Sequence, residues 1–167
     1  KFRIGIFLLL LALGFRWSFY FSQILWIGGA SQILGSIFLF YNLVLILLHI
    51  LQEKNISTNT IYGGISAYLL IALCFSTLYY GIFIFNNNAF LFNGALESID
   101  VSINTNPFGN FTYYSLITLS TVGYGEITPY SLAARYAAAF QGILGQLYMT
   151  IFLARLVGLH IAQNQDR

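Results

Sequence analysis

Apolar residues along this chain come in long runs, and the polar residues gather in the gaps between them. A hydrocarbon layer about 30 Å thick takes roughly 20 residues of helix to cross. Four runs meet that length. The first covers about Ile4 to Phe21 and is broken only by Arg16; the second covers about Ser31 to Leu51 and stops at the polar stretch "QEKNISTNT". The third runs from about Ile65 to Phe85, and the fourth from about Leu132 to Ile161, long enough to cross and project beyond. The segment 86–131 between the last two begins "NNNAF", holds Pro107, Gly109 and the acids of "LESID", and contains one short apolar stretch, "FTYYSLITLS" (111–120). Too short to span, that stretch reads as a segment that enters the membrane and returns on the same side. Arg16 within the first run, and the lack of a small-residue cleavage site after it, argue for a spanning helix over a cleaved leader.

Composition agrees with the pattern. Hydrophobic residues make up 58% of the chain and charged ones 7%, against roughly 25% charged in a soluble domain. A multi-pass membrane protein in contact with lipid is expected. If the linker 52–64 is cytoplasmic, Lys1, Arg3, Lys54 and Arg167 all fall inside, while Glu97, Asp100 and Glu126 fall outside. That arrangement obeys the positive-inside rule. Arg16, Arg135 and Arg155 lie near helix ends, where a long side chain can snorkel to the headgroups. His49 and His160 read as interfacial.

Several functions are excluded at this level. A net charge of +2 is too small for a nucleic-acid partner, and one cysteine, Cys74, forms no intrachain disulfide. Neither of the first two runs carries basic residues at three-residue spacing, so a charged voltage sensor is not expected in them. No nucleophile, base or metal cluster is recognisable among the polar residues, so no enzyme activity is expected.

Chemistry concentrates in "TLSTVGYGEITP", residues 118–129. Backbone at membrane depth that is neither helix nor barrel is tolerated only where it is buried in protein or lines a watery cavity. Glycine holds positive φ without cost, so Gly123 and Gly125 alternating with Val122 and Tyr124 allow successive carbonyls to turn toward one side. Such a column of oxygens, with the Thr121 hydroxyl added, suits a hard cation. A short helix ending near Ser120 would aim its negative end at the same place.

This stretch resembles the selectivity filter of potassium channels, for which four "TVGYG" loops are the known pattern. The resemblance covers about residues 62–161: a short aromatic-led helix, "YYSLIT", precedes the motif, two spanning helices flank it, and an acid and "TP" follow. With "TNTIYGGISAYLL", the earlier helices are similar to a prokaryotic group that adds helices before the channel domain. The resemblance implies that the carbonyls of Thr121, Val122, Gly123 and Tyr124 bind potassium ions. It implies that Gly125, Glu126, Tyr113 and Tyr114 support the filter. Gly145, with Gly142 second, stands at the usual position of a gating hinge, although small residues also permit close helix packing. Family members usually carry Asp where this chain has Glu126, and some carry a carboxylate where it has Ile117, so the network behind the filter is expected to differ.

The expectation is therefore an all-α membrane protein with four transmembrane helices, a re-entrant pore helix and a filter loop, assembled as a homotetramer because one chain supplies one loop. Two N-terminal helices (1–51) precede a cytoplasmic linker (52–64), a pore domain (65–161) and a short tail (162–167). A potassium-selective channel in a prokaryotic cell membrane follows. The rivals are a subunit of a potassium-uptake transporter, which would hold four imperfect loops in one longer chain, and a weakly selective cation channel.

Overall fold

The computed structural model describes Gly14 and residues 25–53, 57–92 and 107–165. The first expected span, Ile4 to Phe21, lies outside the described residues except for Gly14, and Lys54, Glu97, Asp100 and Arg167 lie outside them too.

Among the described residues, three helices are long and apolar enough to cross a membrane. The first two are helix α1 (Leu25–Gln52) and helix α2 (Thr58–Phe85). After α2 come strand β1 (Phe90–Phe92), helix α3 (Pro107–Leu119), strand β2 (Ile127–Pro129) and helix α4 (Leu132–Gln165). Helix α3, at 13 residues, is about 20 Å long and cannot span.

Helix α2 begins seven residues before the expected start at Ile65, so residues 58–64 of the expected linker 52–64 are helical. A capping box explains the difference. The Ser57 Oγ accepts from the Thr60 N–H at 3.2 Å, while the Thr60 Oγ1 accepts from the Ser57 N–H at 3.2 Å. Two otherwise orphaned donors are satisfied by "STNT", a polar start that a search for apolar runs passes over.

The mostly helical structure also contains a small antiparallel ribbon that the sequence did not announce. Strands β1 and β2 pair with Phe90 opposite Pro129 and Phe92 opposite Ile127. Beyond the ribbon, the Ala89 carbonyl accepts from the Tyr130 N–H at 2.8 Å and the Ser131 N–H at 3.1 Å. The chain leaving α2 and the chain entering α4 are thereby fastened together. At three residues each, these strands are too short to leave an alternating pattern. Phe90 and Phe92 are buried, and Phe90 meets Phe111 and Tyr114 edge-on, with ring centroids 4.9 and 5.6 Å apart. This aromatic cluster fixes the outer part of α3 between α2 and the ribbon.

Candidate pore loop

Helix α3 ends in a way that shapes everything after it. Thr121 has φ +61°, the left-handed region that a β-branched residue rarely enters. The Thr121 N–H donates to the Thr118 carbonyl at 3.1 Å, and the Val122 N–H donates to the Ile117 carbonyl at 2.9 Å. Those two bonds around a left-handed residue form a Schellman stop. The Gly123 N–H also reaches the Ile117 carbonyl, at 3.2 Å.

A trans peptide carries its N–H and C=O on opposite sides, and no cis peptide occurs among the described residues. With the Val122 and Gly123 N–H groups turned back to Ile117, the carbonyls of Thr121 and Val122 point away from the end of α3. Positive φ recurs at Gly123 (+54°) and Gly125 (+96°), so every second residue from Thr121 to Gly125 is left-handed. Alternation of this kind collects N–H groups on one face and leaves the carbonyls on the other. Thr121 to Glu126 are all exposed in the single chain, Val122 at 52% and Tyr124 at 70%.

Behind the loop is a recess of about 300 Å³ whose walls include Ile117, Thr118 and Ile127. At the position where the resemblance allows a carboxylate, Ile117 presents a buried apolar surface. Glu126 finds its partner elsewhere: the Tyr113 hydroxyl lies 3.2 Å from each carboxylate oxygen and donates to them. Desolvation, then the bond to Glu126 and the charge of that carboxylate, holds the Tyr113 phenol above its ordinary range. The phenol therefore remains a donor at neutral pH. Tyr114, the other expected support, turns inward and packs edge-on against Tyr79 with centroids 4.9 Å apart.

Helix α3 is held by a ladder of polar contacts absent from the sequence reading. From α2, the Tyr68 hydroxyl donates to the Leu119 carbonyl at 3.2 Å. One turn along, the Ser115 hydroxyl donates to the Ala72 carbonyl at 2.6 Å, and a further turn along, the Ser76 and Thr112 hydroxyls are 2.8 Å apart. From α4, the Gln141 Nε2 donates to the Ser115 carbonyl at 3.0 Å and to its Oγ at 2.7 Å. The Gln141 Oε1 accepts from the Tyr79 hydroxyl at 2.6 Å. The sequence signals were present: Tyr68, Ala72 and Ser76 recur at four-residue spacing on an apolar helix, and Gln141 interrupts "AAAFQGIL".

The two glycines expected as hinges sit in different surroundings. A Cβ on Gly145 would lie 2.4 Å from the Leu119 carbonyl oxygen, so α4 passes α3 there at a distance only glycine permits. A Cβ on Gly142 meets nothing within 4 Å. Farther along α4, Arg155 turns to the end of α1. Its Nη2 donates to the carbonyls of Ile50, Leu51 and Glu53 at 3.0, 2.7 and 3.0 Å. A cation thus caps the negative end of α1.

Neither curated proteins nor solved structures yield a match to this chain. A family model described as an ion channel matches residues 67–160, more than half of the chain. The matched stretch takes in most of α2, the excursion with its loop, and α4 almost to its end. The chain belongs to that ion-channel family.

Proposed function

We propose that this chain is one subunit of a homotetrameric, potassium-selective channel that passes ions down their electrochemical gradient. The observation that carries the reading is the paired tie of the Val122 and Gly123 N–H groups to the Ile117 carbonyl, which commits the Thr121 and Val122 carbonyls to the opposite face. The φ alternation through Gly123 and Gly125 favours the same side for the Gly123 and Tyr124 carbonyls. Four copies around an axis turn these oxygens into stacked rings that replace the water shell of a potassium ion. The Thr121 hydroxyl adds oxygens at the inner end. Helix α3 aims its negative end at the axis, which lowers the energy of a cation there.

Reconstitution into liposomes with an ion-flux readout tests this. The expected order is potassium above rubidium, with both far above sodium, and block by barium, which is close to potassium in size but doubly charged. Equal potassium and sodium flux through an intact tetramer would overturn the selectivity; no flux of either would overturn the conducting role.

A further inference from the structure

Inside the apolar layer, three side chains with polar tips meet where no water reaches: Gln141, Ser115 and Tyr79 are each 0% exposed. An unpaired amide or hydroxyl there carries a heavy desolvation cost, and here each has a partner. The amide orientation of Gln141 is fixed by chemistry, because the Ser115 carbonyl can only accept and must face the Nε2. The Oε1 is then left to accept from Tyr79. The Ser115 hydroxyl uses its lone proton on the Ala72 carbonyl and receives the Gln141 amide on its oxygen. One side chain of α4 thus closes a circuit through α2 and α3.

Its place on α3 matters more than its strength. Ser115 stands two residues before Ile117, whose carbonyl holds the Val122 and Gly123 N–H groups. It stands one turn before Leu119, whose carbonyl is wedged against Gly145. Any rotation or slide of α3 at Ser115 moves the acceptor that sets the direction of the loop carbonyls. Gly145 supplies contact alone, which resists approach but not retreat. Gln141 supplies a directional tie, which resists both.

We infer that Gln141 is a positioning residue of the ion pathway: through Ser115 it fixes α3 against α4, and so sets the ring geometry on which ion discrimination depends. The inference rests on the proposed reading of the loop as a potassium filter. A tie that served stability alone would alter melting without altering which ion passes.

The experiment compares the full-length protein in liposomes with Gln141→Leu and Gln141→Glu. Wild type is measured first, and its failure to prefer potassium sinks the filter reading before any variant is considered. Given a selective wild type, Gln141→Leu keeps the bulk and removes both hydrogen-bonding atoms, and the potassium-to-sodium flux ratio is expected to fall about tenfold with the tetramer intact. An unchanged ratio in an intact tetramer overturns the inference. Gln141→Glu covers the case in which the leucine variant fails to assemble. A neutral carboxyl keeps one donor for the Ser115 carbonyl and one acceptor for Tyr79, losing only the second N–H bond of the amide, whereas an ionised one only accepts. Purified and reconstituted at acid pH, the variant is expected to match wild type and then lose selectivity as pH rises. Wild type over the same range subtracts the titration of every other group. Burial raises the pKa of a glutamate to about 8 to 9, so a Gln141→Glu ratio that tracks wild type to about pH 10 overturns the inference.

Discussion

Glu126 and Tyr113 form the outermost fixed contact of the loop, with one phenol held between two carboxylate oxygens. The pair is exposed, so its energy is small, and its effect belongs to the lifetime of a geometry more than to its existence. Tyr113→Phe and Glu126→Gln are each expected to change open times or inactivation a few-fold while leaving the potassium-over-sodium preference near wild type. Single-channel recordings decide this; a collapse of selectivity with unchanged kinetics would place the carboxylate within ion discrimination itself. The sequence placed both Tyr113 and Tyr114 as filter supports without deciding which would meet Glu126, and Tyr113 does. Adjacent helical residues differ by about 100° in direction, so the rotation of α3 decides between them. That rotation is set by Thr112 and Ser115 facing α2, a preference no apolar run records. Gly123 and Gly125 announced their left-handed φ in the sequence. Thr121 did not, because its shape argues against the conformation it adopts.

At the level of elements, the three described spans and the re-entrant helix were legible because length and apolarity alone identify them. Their starts and mutual fit were not. The start of α2 depends on Ser57 and Thr60, and the depth of α3 depends on contacts between chain segments far apart in sequence. Gly142 and Gly145 separate two roles that sequence alone left joined. Gly145→Ala forces a methyl group into the Leu119 carbonyl, and overpacking of this kind costs about 1 to 3 kcal/mol. A lower melting temperature of the detergent-solubilised assembly is expected, with altered conduction in whatever assembles. Gly142→Ala has open space and a helix propensity better by about 1 kcal/mol, so its melting temperature should equal or exceed that of wild type. A drop for Gly142→Ala as large as for Gly145→Ala would contradict the packing described.

The single chain leaves much apolar surface uncovered, including Phe140, Leu147 and Ile151 on α4. Lipid can cover part of it. The proposed rings of oxygens require that copies cover another part. Native mass spectrometry from a mild detergent is expected to give four chains per particle; a monomer or dimer that still conducts would refute the arrangement. Within each chain, Arg155 fastens α4 to the end of α1, so α1, which lies outside the matched family region, is tied to a helix inside it.

The ribbon of β1 and β2 bears on how freely such a chain can drift in length. Because Phe92 is paired directly with Ile127, the stretch between them is a closed loop whose ends are fixed regardless of its contour. Lengthening a connection between fixed ends is cheap, about 0.6 kcal/mol for each doubling. Between Leu119 and Ile127, however, every residue but Tyr124 is committed to a handedness or a bond. Five glycine and serine residues inserted after Phe92 should therefore leave potassium flux within about twofold of wild type, while one residue inserted between Ser120 and Glu126 should abolish it. The same asymmetry predicts that natural relatives tolerate insertions before α3 and permit none after it.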